Sequence, residues 1–223
     1  MSVDFPPPNV DPVLLVAKHL EELARQGRKR HRWMMFVDGE NFAIRGQTFV
    51  AESGANLPKR LFKPGVFLWV PGLVPEIMSL YLLDSDVRFP RKAERSFYYT
   101  SVVADDRGVL AVRLTLRRNG FTPMVFKKIR KDQKAKGVDI ALTKDMLMEA
   151  VRDHYDIAVL LAGDGDYVPV VDEIQRLGKQ VIVAFWDGDW VSEELRWRAD
   201  HFVDLTDGLK TALNNCREKG WTD

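Results

Sequence analysis

The sequence predicts a three-layer α/β/α sandwich around a mainly parallel sheet, and three observations carry that expectation. From residue 33 onward, short apolar runs alternate with segments of helical periodicity. The runs WMMFV (33–37) and DIAVLLAG (156–163) lack polar alternation, the pattern of strands covered on both faces. Outside one region the connections are short, and alternating β and α units call for parallel strands with helices on each side.

Taken in order, residues 1–12 are proline-rich and read as extended. VLLVAKHLEELARQG (13–27) has Leu14, Leu15, Leu20 and Leu23 near helical spacing, with Gly27 as a stop. The basic link RKRHR (28–32) leads into the first strand at Trp33. Residues 45–96 break the rhythm. LFKPGVFLWVPG (61–72) is aromatic and punctuated by proline and glycine, and LVPEIMSLYLL (73–83) reads as a helix with Pro75 in its first turn. The region reads as an insertion with its own apolar surface, which makes a homodimer or partner interface an expectation.

Regularity returns with a strand over 96–104 and a helix over 105–120, closed by Asn119-Gly120. A strand over 121–129 precedes a helix over 138–154 that turns Leu142, Met146, Ala150 and Val151 inward. The most apolar strand follows at 156–163, then a helix over 167–178 and a strand over 179–186. A short helix (192–200), an edge strand (201–205) and a last helix (206–219) complete the chain. These elements divide it into an N-terminal extension (1–32), a main domain (33–207) carrying the insertion, and a C-terminal helical tail (208–223).

The chain has 223 residues, enough for one domain with additions, and its 46% apolar and 29% charged fractions are those of a globular protein. A formal net charge of +1 favours no partner. The single cysteine, Cys216, forms no internal disulfide and excludes a zinc site of several thiolates. The N-terminus lacks a secretory pattern, and no apolar run reaches the ~18 residues that span a bilayer, so a cytoplasmic location is expected.

Ligands of a parallel sheet bind beyond the carboxyl ends of its strands. Strand one ends in Asp38, with Asn41 three residues on; GDGD supplies Asp164 and Asp166 after a later strand; KAKGVD delivers Asp139 at a helix start. Taken singly, Asp38 and Asp139 read as helix caps and Asp164-Gly165 as a turn. Together they gather acids from three segments at one sheet edge, where mutual repulsion and burial favour a divalent cation with oxygen ligands. Mg²⁺ or Mn²⁺ there would bind phosphate oxygens and activate water. Gly163 and Gly165 would let the backbone turn sharply. Asp145, ~120° round the helix from Asp139, reads as a supporting or solvated residue.

KKIRKDQKAKG (127–137) carries six basic residues against one acid beside Asp139, so Lys134 and Lys136 are candidates for phosphate contact. A solvated face is the alternative for such a run. RKRHR would fall at the opposite sheet edge. Tyr98, Tyr99, Trp186 and Trp190 are either base-stacking or core residues, with core favoured for the two tyrosines. His19, His31, His154 and His201 lack the spacing of a helical zinc pair, and no G-x-S-x-G elbow is present. An aspartyl phosphotransferase built on Asp38, with Glu40 as its second acid, is a further alternative.

FVDGEN (36–41), KGVDIALTKDM (136–146), LLAGDGDYVPVV (160–171), GKQVIVAFW (178–186) and ADHFVDL (199–205) resemble, in order and spacing, the NYN (LabA-like) family of PIN-like ribonuclease domains. The resemblance implies a PIN-like sandwich and Mg²⁺- or Mn²⁺-dependent cleavage of RNA. It carries the family's acids onto Asp38, Asp139, Asp164 and Asp166, with Asn41 as the accompanying amide, as metal-binding and catalytic positions. The chain departs from the pattern at Ala162, where a serine commonly stands, and in the insertion. A non-catalytic RNA-binding module is the alternative function.

Overall fold

The computed structural model describes residues 32–70, 73, 93–130 and 137–218. The expected helix at 13–27, all of the expected helix at 73–83 beyond Leu73, and Lys134 and Lys136 lie outside them.

Six strands form the central sheet: β1 (Trp33–Asp38), β4 (Arg95–Val103), β5 (Thr122–Lys128), β6 (Ile157–Leu161), β7 (Gln180–Phe185) and β8 (His201–Asp204). Two short strands, β2 (Phe62–Lys63) and β3 (Phe67–Leu68), pair as a separate antiparallel hairpin. The large sheet runs β5-β4-β1-β6-β7-β8, and every pairing in it is parallel. The chain builds outward from β1 in one direction, then returns to β1's other side through β6. That reversal opens a crevice between the carboxyl ends of β1 and β6.

Alternation along β1 feeds two cores. Trp33, Met35 and Val37 pack into one layer with α1 (Gly39–Ser53), α2 (Asp106–Arg118), α6 (Thr206–Glu218) and the hairpin. Met34 and Phe36 pack into the other with α3 (Val138–Val151), α4 (Val168–Arg176) and Leu195 of α5 (Glu193–Arg198). The hairpin is fixed to the sheet by Tyr98, whose hydroxyl accepts from Leu68 N at 3.0 Å and reaches Leu68 O at 3.1 Å.

The expected strands and helices from residue 96 onward are present with ends shifted by a few residues. Two corrections stand out. Residues 39–53, part of which the sequence assigns to the insertion, form α1 directly after β1. Val151 is 58% exposed rather than inward, because it lies about 100° round the helix from the buried Leu142–Met146–Ala150 stripe. Of the two readings open for Trp186, the core one holds: it is fully buried, packed against Phe42 and Phe49, and offers no stacking surface. Tyr98 and Tyr99 are core residues, as favoured. At the amino edge, Arg32 pairs with Asp153 at 3.1 Å and Asp156 at 3.0 Å, which puts the end of the RKRHR link opposite the crevice.

Candidate active site

Asp38 is the last residue of β1 and only 5% exposed. Its Oδ1 accepts from Asn41 N at 3.1 Å and so caps α1. The capping bond turns Asn41 back toward the crevice. Val138, buried, anchors the first turn of α3, and Asp139 follows it into the open. Asp164 leaves β6 and caps the 3₁₀ turn Gly165–Tyr167 by accepting from Asp166 N at 3.1 Å. All four sequence-selected acids and Asn41 line one cleft of about 220 Å³, joined by Glu40.

The two glycines of GDGD serve space rather than unusual backbone angles, since neither has positive φ. A Cβ on Gly163 would lie 2.3 Å from Trp190 O, and one on Gly165 would lie 2.8 Å from Ser192 Oγ. The loop after β7 therefore lies directly on the GDGD backbone, and Ser192 N donates to Gly163 O at 2.8 Å.

Tyr167 is the residue that sequence reasoning passed over. Its hydroxyl donates to Asp38 Oδ2 at 2.9 Å and lies 3.3 Å from Asp139 Oδ1. One hydroxyl hydrogen serves one of two carboxylates at a time. Burial pushes the Asp38 carboxyl up to about 7, against the bonds from Asn41 and Tyr167 that lower it. Burial also raises Asp139, with the charges of Asp164 and Asp166 adding to the rise. Desolvation, then Asp38 and Asp139, raise Tyr167 itself, so its proton stays on the ring oxygen.

Glu40 is differently placed. Its carboxylate accepts from Ser101 Oγ at 2.6 Å and pairs with the buried Lys128 ammonium. Lys128, from the basic run, thus faces inward, while Lys127 is bound to Asp106 at 2.8 Å. Asp145 points away from the cleft and accepts from Tyr99 OH at 3.1 Å. His154 is bound to Glu149 at 2.7 Å, outside the cleft.

A profile of the NYN domain family matches residues 32–206. The chain belongs to the NYN domain family. NYN domains are PIN-like nucleases, a class that typically uses divalent metals. The fold is also that of a solved protein of unknown function from Vibrio parahaemolyticus, 23% identical, with a TM-score of 0.50 over 79% of this chain and 93% of that one. No curated protein matches the chain.

The donor set of this NYN domain fits a hard cation. Asn41 Oδ1 is buried without a hydrogen-bond partner, and its neighbours in the cleft are carboxylates, which are acceptors when ionised. Oxygen ligands suit Mg²⁺ or Mn²⁺, which take a few carboxylates and keep waters for the rest of their shell. Among the described residues, no three His, Cys, Asp or Glu side chains already form a ligand cage. No helix among them is long and apolar enough to cross a membrane.

Proposed function

We propose that this NYN domain is a Mg²⁺- or Mn²⁺-dependent endoribonuclease acting on single-stranded RNA. The observation that carries the reading is the orphaned Asn41 Oδ1, buried among carboxylates that burial and mutual charge make costly to ionise. Asp38, Asp139 and Asp164 would hold the cation, with Asp166 beside them. A bound cation supplies Lewis acidity toward a phosphate oxygen and makes a water more acidic. Asp166, on the exposed 3₁₀ turn, positions that water and takes its proton. Asn41 orients the substrate, and Tyr167 keeps Asp38 ionised by donating to it. Lys134 and Lys136 would contact phosphate. Water attacks phosphorus directly as the P–O bond to the departing ribose oxygen breaks and that oxygen takes a proton from solvent, so no covalent intermediate on the protein arises.

Asp164→Asn tests the reading. It should abolish Mn²⁺-dependent cutting while single-stranded RNA binding stays intact or strengthens. Contaminant-free wild-type protein that cuts neither RNA nor DNA with either ion overturns it. A non-catalytic RNA-binding module is the second reading, favoured by the lack of a ready ligand cage among the described residues. In that case wild-type and Asp164→Asn proteins bind RNA alike and neither cuts.

A further inference from the structure

A second cavity, about 710 Å³, opens between the loop after β7, the outer face of α5 and β8. Its size falls within the range of small-ligand sites and is ample for a nucleoside. Trp197, 78% exposed, forms one wall. Phe202 forms another, and Arg196 lies over its ring at 4.8 Å while pairing with Asp187. An indole so exposed on a helix that buries only Leu195 contributes little to the core. Asp189 and Glu193 also line this cavity, and no described residue bonds or pairs with their carboxylates.

One contact between α1 and the loop after β7 links the linings of the two sites. The cleft's rim includes Asn41 and Ile44 on α1. Next along α1, Arg45 lies 4.8 Å over the Trp190 ring, and no described carboxylate pairs with it. Trp190 belongs to the loop that lies on Gly163 and also walls the second cavity through Asp189 and Val191. A cation that leans on an aromatic ring keeps its N–H groups free for a phosphate oxygen.

We propose that the cavity walled by Trp197, Phe202, Asp189 and Glu193 is a base subsite for the substrate strand, reached from the carboxylate cleft across Arg45 and Trp190. The inference rests on the nuclease reading above and deepens it. Asp189 and Glu193, unpaired among the described residues, repel phosphate, and Arg196 is already paired with Asp187, so the strand presents a base there and not its backbone. The same carboxylates accept hydrogen bonds from amino groups, which adenine, cytosine and guanine carry and uracil lacks. Trp197 supplies the stacking face, a contact that tolerates any base and gives the subsite its affinity. Arg45 holds the intervening phosphate.

The test uses full-length Asp164→Asn protein, which binds without cutting, and fluorescence anisotropy with labelled 12-nucleotide single strands of oligo(A), oligo(C) and oligo(U). Adding Trp197→Ala should weaken oligo(A) and oligo(C) binding about fivefold or more, and Trp197→Phe should restore most of it. Arg45→Ala should reduce the slope of log affinity against log salt by about one phosphate contact. Oligo(U) should bind more weakly than the other two, and the gap should close in Asp189→Asn/Glu193→Gln protein. Unchanged affinity in Trp197→Ala while the parent binds RNA overturns the subsite and leaves the nuclease reading standing. A parent that binds no single strand at all overturns both.

Discussion

The Tyr167 hydroxyl donates to Asp38 Oδ2 across 2.9 Å, tying together residues 129 positions apart in the chain. That bond favours the ionised form of a carboxylate that burial would otherwise keep protonated. Tyr167→Phe removes it. We expect the pH midpoint for Mn²⁺ binding to move upward, because Asp38 then ionises only in more alkaline solution. Stability at pH 8 should fall by about 1–3 kcal/mol, the cost of a buried acceptor left without its donor. Titrating Mn²⁺ across pH and unfolding in denaturant read both effects. An unmoved midpoint would mean that the bond does not govern the site.

Asp38 also sets how the ion-free fold responds to pH. Its carboxyl titrates near 3.8 when unfolded and about 7 when folded. Between those values the native state holds the extra proton, so this group's contribution to stability falls as pH rises through that window. At full ionisation the loss is roughly 4 kcal/mol at most. Metal-free protein should therefore melt lower at pH 8 than at pH 5.5, other groups being equal, and Mn²⁺ should raise Tm more at pH 8. Asp38→Asn should flatten the dependence and melt a few degrees higher at pH 8 while losing cleavage, as expected where function holds a site in an unfavourable state. Thermal unfolding in chelator-treated buffer decides it; a wild-type Tm that rises steadily from pH 5.5 to 8, with Asp38→Asn parallel to it, would refute the assignment.

Gly163→Ala probes the contact between the GDGD turn and the loop after β7. A methyl group there meets backbone, Trp190 O at 2.3 Å, along with the Phe185 ring at 2.5 Å, so one of the two segments must shift. The cost should be about 1–3 kcal/mol, typical of overpacking. Gly165→Ala meets Ser192 Oγ, which can rotate away, and should cost less. The order of the two midpoints in denaturant unfolding checks the argument, and equal losses would contradict it.

The parallel three-layer architecture was legible in the sequence because apolar runs and helical periods alternate, and residues 156–163 in particular have no amphipathic reading. The four acids were legible for the same reason, since each stands where a strand ends or a helix begins. α1 was not. Gly46 sits within it, where a Cβ would come 2.4 Å from Leu68 Cδ2, so glycine marks close helix packing at a position that sequence reading treats as a breaker. Tyr167 looks like an apolar residue at a helix start, and only the folded chain brings its hydroxyl between two carboxylates. The pairing of Glu40 with Lys128 spans 88 positions, and no local pattern encodes a partner chosen at that range.

The acids of the cleft stand on supports of unequal stiffness. Asp38 ends a strand flanked by β4 and β6 in the middle of the sheet, whereas Asp164 and Asp166 ride a single exposed turn braced by one loop. In the proposed metal site, accommodation of ions of different radius falls to the turn, with the strand acting as a fixed anvil. Changes in the bracing loop, distant in sequence from the cleft acids, should therefore retune which ion the proposed site prefers.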